Sequence, residues 1–296
     1  MLLNKPIPAA FIFNKVKYDV LYVFAVMLVV QWLTARYQHL LPEMPLTIPA
    51  FIGTSISILL SFKLNQSYDR WWEARKVWGA IVNDSRSFAL QLQSLVMPGN
   101  EAQIRKIAYR QIAWCYALGR ALRGLNPLEN LEALLSEEDR IAVSKQQNKP
   151  LAILQLHAKD ISELRQQQQL DTFSQIQLDQ TLVRFCDSQG KAERIKTTVF
   201  PVTYRLFLQL VVYLFVVTLS IALRDIPSIF EMPLLLLISL AFFLLEKTAT
   251  HMQDPFENRP TDTAMTAIAR TIEINIRQLF GDTAPKPMEP QGFYLS

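Results

Sequence analysis

The sequence predicts an all-α membrane protein, with four transmembrane helices arranged as two pairs and a large helical domain between the pairs. Three observations carry this. Half of the 296 residues are hydrophobic and only 19% are charged, against the roughly 25% charged usual for soluble chains. The apolar residues concentrate in four long stretches instead of spreading evenly. Between the second and third stretches, apolar residues recur at steps of three and four, the period of a helix and not the alternation of a strand. The same composition excludes several classes. Glycine is scarce, and no HExxH, GxSxG, Walker A or GxGxxG string occurs. Cys115 and Cys186 form no CxxC pair, and His39, His157 and His251 stand far apart, so no disulfide framework, catalytic residue, metal site or cofactor is expected. The net charge of +4 fits Lys and Arg gathered on the cytoplasmic side of a membrane and gives no argument for nucleic acid.

Residues 1–18 read as a cytosolic N-terminal segment carrying Lys5, Lys15 and Lys17. Spans one and two fall within residues 19–62. The apolar run at 20–34 is short of the roughly 17–25 residues a span needs, so flanking residues must join it. It is followed by Arg36-Tyr-Gln-His39 and not by a small-residue cleavage site, which marks a retained helix. The second run, 46–62, is uncharged and carries several hydroxyls, with Pro49 suited to a first helical turn. Spans three and four fall within residues 206–246, the last with Glu231 near its start. Lys63, Arg70, Arg75 and Lys76 follow span two and Lys247, Arg259 and Arg270 follow span four, whereas the two outer links hold only Arg36 and Arg224. The positive-inside rule then places both termini and the middle region in the cytoplasm.

Residues 63–205 read as a cytosolic domain of helices 15–25 residues long, broken near Pro98-Gly99, at Gly124 to Pro127, at Asn148 to Pro150 and at Ser188 to Lys191. Residues 247–283 hold a further helical stripe, Met265, Ile268, Ile272 and Leu279, and 284–296, with three prolines, an extended or disordered tail.

Two local features point towards function. In span two, Thr54, Ser57 and Ser61 share helical spacing with Ile58 and Phe62. Such a mixed face can line a pore in an oligomer, hydroxyls solvating an ion and apolar rings gating by dewetting. Equally, Gly53 and the hydroxyl residues can serve close helix packing. Beyond the span, Trp71 and Trp72 beside Arg70 and Arg75 suit the wet edge of a bilayer, while Trp71 and Trp78, on one face, suit a core. No ionisable residue lies centrally in a span, which counts against a proton-coupled transporter.

Tyr68-Asp-Arg-Trp-Trp-Glu-Ala-Arg75 with Trp78-Gly79, and then Glu246, Asp254-Pro-Phe-Glu257, Pro260 and Glu273, resemble the signature of the bestrophin family in content, order and spacing. The resemblance covers the chain to about residue 281. It implies a pentameric ion channel with one central pore in the lipid bilayer. The second span would form a narrow neck, placed here on Thr54, Ile58 and Phe62, with Thr54 departing from the family's apolar pattern. A second constriction in the cytosolic domain aligns on Leu170, and Arg70, Trp71, Trp72, Asp254, Pro255 and Phe256 become structural signature residues. The short outer links match bacterial members, in an inner membrane, and imply passive passage of monovalent cations such as Na+. A chloride channel of the same fold is the alternative, ahead of a secondary transporter or a membrane-tethered sensor. Animal members carry a dense acidic run after their proline-phenylalanine pair; here Glu257-Asn-Arg-Pro-Thr-Asp262 offers too few carboxylates for a tight calcium site, so Asp254 and Glu257 are expected to brace local structure.

Overall fold

The structure, a computed structural model, describes residues 6, 8–37, 43–198, 201–290 and 292–295. Lys5 and His39 lie outside these. The described residues form α1 (Ala9–Tyr37), α2 (Thr47–Leu95), α3 (Glu101–Leu122), α4 (Glu137–Ser144), α5 (Lys149–Gln166), α6 (Thr172–Thr197), α7 (Val202–Ala222), α8 (Ser228–Gln253) and α9 (Met265–Leu279). Residues 282–290 are irregular. The chain divides into two compact units: one within Lys5–Arg70 and Val199–Gln253, the other within Trp71–Thr198 and Asp254–Ser296.

In the first unit α1 packs on α7 and α8, and α7 packs on α8. Among the described residues, these helices and α2 are the ones long and apolar enough to cross a membrane. The first apolar run gains its length from both flanks, since α1 starts at Ala9. Val23, Met27, Ile56, Leu208, Val212 and Leu235 form the core. Large apolar side chains also cover the outside, among them Phe24, Trp32, Phe207, Leu210, Leu214 and Leu237. Water would not tolerate such a surface, and hydrocarbon would.

α2 runs for 49 residues, well past the length expected of any helix here. Polarity changes at Lys63, but no proline occurs between Pro49 and Pro98, and helix continuity depends on the backbone. The compact division falls at Arg70 and not at the end of the apolar run. Lys63 is buried, its Nζ 2.7 Å from Glu246 Oε1 and 2.8 Å from Thr250 Oγ1. Arg70 Nε donates to the Gln253 carbonyl at 2.9 Å, and the Tyr204 hydroxyl donates to the Leu59 carbonyl at 2.9 Å.

The second unit is built by the C-terminal part of α2 with α3, α4, α5, α6 and α9. Trp78, Phe88, Trp114, Phe185 and Ile272 sit in its core. Helices α4, α5 and α6 begin on side-chain caps that satisfy free backbone N–H groups. Ser136 accepts from Asp139 N, Asn148 from Leu151 N, and Asp171 from Phe173 N and Ser174 N. At the centre lies Arg110, 1% exposed. Its Nε and Nη2 donate to Asp139 Oδ2 at 3.1 and 2.8 Å, and its Nη1 donates to Asp160 Oδ2 at 2.6 Å.

His157 is fully buried with its ring edge-on to Phe88 at 5.3 Å. Neither ring nitrogen has a hydrogen-bond partner among the described residues. Burial, helped by the Arg110 charge, lowers its pKa well below 6.5. The ring is therefore neutral in the fold and takes a proton only when the chain unfolds. Its contribution is complete above the unfolded pKa of about 6.5 and is lost as pH falls. Between pH 7.5 and 5.5 the wild type is expected to lose on the order of 1 kcal/mol more stability than His157→Phe. Denaturant titrations of the two proteins at both pH values measure this, and parallel losses would refute it.

Candidate pore-lining site

The N-terminal half of α2 presents two unlike faces. One is closed by its own unit. A Cβ on Gly53 would stand 3.1 Å from the Phe215 ring, tighter than an ordinary contact, so glycine lets α2 approach α7 here without displacing that ring. Ile56, Leu60, Lys63 and Ser67 continue the buried face. The other face is bare in the single chain: Phe51 is 74% exposed, Ile58 54% and Phe62 62%, with Thr54, Ser57 and Ser61 exposed beside them. Asn65, Gln66 and Asp69 extend it. Gly53 packs, and Thr54, Ile58 and Phe62 stand together on the uncovered face.

Thr54 Oγ1 donates to the Ala50 carbonyl at 2.9 Å, and Ser57 Oγ to the Gly53 carbonyl at 2.9 Å. Their protons are committed within the helix. Thr54 offers outward a methyl group and oxygen lone pairs, which brings it closer to its apolar neighbours than its residue type suggests.

Leu170 is a correction. Its side chain is 1% exposed and belongs to the core of the second unit, packed inside its own chain, so it cannot line a path. Immediately after it, the Asp171 cap starts α6 and turns Phe173 outwards, 84% exposed, followed by Ile176 and Val183 at 49% and 66%. Apolar character alone does not separate the core leucine from the exposed phenylalanine three positions on.

The signature residues hold the ends of segments. Trp71 is half-buried and its Nε1 donates to the Thr261 carbonyl at 3.0 Å, whereas Trp72 is exposed. Trp78 is fully buried. Asp254 accepts from Phe256 N at 3.1 Å and from Lys196 Nζ at 2.6 Å. Pro255 is buried, its carbonyl accepting from Thr263 N at 3.1 Å, and Phe256 sits in the core. Asp262, which sequence reasoning left without a role, accepts from Glu257 N and Arg259 N at 2.9 and 3.0 Å. Burial raises its pKa. Among the described residues no three His, Cys, Asp or Glu converge as metal ligands would.

Sequence reasoning also missed the buried ionisable groups of the first unit. Besides Lys63 and Glu246, Asp19 is buried, with the half-buried Lys247 placing its Nζ 2.6 Å from Asp19 Oδ2. Glu231 is 2% exposed and accepts from Gln31 Nε2 and Ser220 Oγ at 3.3 Å each. The available signal was a lysine closing one apolar run and a glutamate closing another.

The sequence model of the family described as "Bacterial/Fungal Bestrophin protein" matches residues 7–278. A curated Escherichia coli K12 protein, "Voltage-dependent anion channel-forming protein YneE", is 31% identical over 259 residues, covering 88% of this chain and 83% of its own. A Mesorhizobium japonicum protein, also named voltage-dependent anion channel-forming, is 28% identical over 245 residues, covering 83% and 78%. Among solved structures, a bacterial bestrophin homologue from Klebsiella pneumoniae aligns with a TM-score of 0.85 at 27% identity, covering 90% of this chain and 99% of that one. The names of the curated relatives speak of anions and conflict with the sodium preference expected from the sequence.

Proposed function

The chain belongs to the bacterial and fungal bestrophin family, and from that premise we propose that it is a membrane ion channel passing small anions such as chloride, passively, through a pore shared by five copies. The observation that carries the channel reading is the bare face of α2, where Thr54, Ile58 and Phe62 line up uncovered by their own chain. Four spans are too few to enclose a pore, so the lining requires neighbours. In a five-fold ring each residue repeats around the whole perimeter. Ile58 and Phe62 then form two hydrophobic rings, and Thr54 a third with methyl groups and oxygen lone pairs towards the path. Such rings gate by dewetting and carry no charge with which to choose a sign.

The anion preference is supported by the relatives' names. The excess of Lys and Arg beside the inner ends of the spans supports an orientation with both termini and the second unit in the cytoplasm, across the inner membrane of a bacterial cell. Phe173 replaces Leu170 as the candidate for a second constriction, on the strength of its exposure. A structural role for Arg70, Trp71, Asp254, Pro255 and Phe256 is supported by their hydrogen bonds and packing, while Trp72 is exposed; no enzymatic role is invoked.

The test is purified protein in a planar bilayer under a NaCl gradient. The reversal potential is expected near the chloride equilibrium value. A potential near the sodium value would overturn the anion preference and keep the channel. No current from correctly assembled protein would overturn the channel itself.

A further inference from the structure

A cavity of about 290 Å³ opens between α3, α9 and the segment around residues 125–134 in the second unit. Four arginines line it, Arg120, Arg123, Arg270 and Arg277, against two glutamates, Glu129 and Glu273, among the described residues. Both glutamates are already engaged. Glu273 accepts from Arg277 Nε at 3.0 Å and from the Tyr116 hydroxyl at 2.8 Å, and pairs with Arg270 Nη1 at 3.2 Å. Glu129 is bound by Arg120, whose Nε also donates to the Asn126 carbonyl at 2.7 Å.

Arg123 is different. Its Nη1 donates to Thr266 Oγ1 at 2.6 Å, but its Nε and Nη2 are buried without a partner among the described residues. Burial lowers its pKa, opposed by the charge of Asp262. Asp262 spends its oxygens on the backbone N–H groups of Glu257 and Arg259 and on the Thr261 hydroxyl. The two idle donors of Arg123 are adjacent and form the side-on edge of the guanidinium. That edge receives a carboxylate in a planar fork. Arg110 uses the same two atoms on Asp139 within this unit. A buried guanidinium edge without an acceptor is costly and uncommon, and an incoming anion relieves it.

We propose that this cavity is a binding site for a small organic carboxylate, its head group taken by the Nε–Nη2 edge of Arg123 and its apolar body laid against Leu131, Leu134 and Met265. The edge is closed to solvent in this side-chain conformation, so the ligand takes it by a rotation of the Arg123 side chain about its terminal torsions. The apolar wall favours a carboxylate on a hydrocarbon body over a bare inorganic anion. The site stands independently of the pore, and neither proposal presupposes the other.

The experiment is calorimetric titration of the full-length protein in nanodiscs with benzoate, alongside benzyl alcohol and inorganic phosphate. Benzoate is expected to saturate at one site per chain, benzyl alcohol not to bind, and phosphate not to compete. Arg123→Gln is expected to weaken benzoate by about 10- to 100-fold, the usual worth of a charge-assisted fork. Arg123→Lys keeps the charge, loses the fork and is expected to fall between the two. It carries the test if the glutamine variant does not fold. Unchanged benzoate affinity in a folded Arg123 variant, or no saturable binding to the wild type, would overturn the site. Equal binding of benzyl alcohol or competition by phosphate would overturn the organic carboxylate as its ligand.

Discussion

Phe62→Ala is expected to raise single-channel conductance, by about two-fold or more, because the largest side chain in the proposed neck is removed from every copy at once. The substitution is informative because of where Phe62 stands. At 62% exposed it supports no core of its own chain. Its loss therefore leaves no hole of the kind that makes a buried phenylalanine costly to truncate, and the subunit should fold as before. A widened ring is also easier to wet, so the open fraction should rise with the conductance. Ile58→Ala acts in the same direction by less, since less volume leaves. Single-channel recordings of both variants measure this. Current identical to wild type from Phe62→Ala would remove Phe62 from the constriction, whatever the selectivity of the pore.

The second large effect concerns stability. Arg110→Met is expected to destabilise the protein by about 3–5 kcal/mol, the usual result of removing one partner from a buried ion cluster. Asp139 and Asp160 are each 7% exposed, and both lose the cation that satisfies them. By contrast, Arg184→Met at the Arg184–Asp84 pair, where the arginine side chain is 46% exposed, should cost about 1 kcal/mol or less. Adding Asp139→Leu and Asp160→Leu to Arg110→Met should recover part of the loss, because the stranded charges are what make the single change severe. Denaturant melts of the set decide this. A single-variant loss no larger than that of the Arg184 change would mean that water reaches the carboxylates.

Some of this architecture was open to reading before any coordinates. The four apolar helices were, because hydropathy and helix period are local properties of consecutive residues. The RWW and DPF strings carried the family. The division of the chain was less accessible. Polarity changes at Lys63, but α2 continues, since nothing in its backbone stops it, and the compact division falls at Arg70. The buried pairing of Lys63 with Glu246, 183 residues away, had no local trace beyond two charges at the ends of apolar runs.

Leu170 and Phe173 mark the boundary between the two kinds of knowledge. Composition, helix period and the placement of Lys and Arg settle that this is a helical membrane chain and which segments are apolar enough to span, because each depends on neighbours in sequence. Whether an apolar side chain faces a core or stands bare depends on what approaches it from distant segments. That is why Leu170 turned out to be core, Phe173 and Phe62 exposed, and Arg123 a half-buried cation whose side-on edge meets no acceptor among the described residues. Burial is a property of the assembled neighbours, and only the tertiary structure brings those neighbours together.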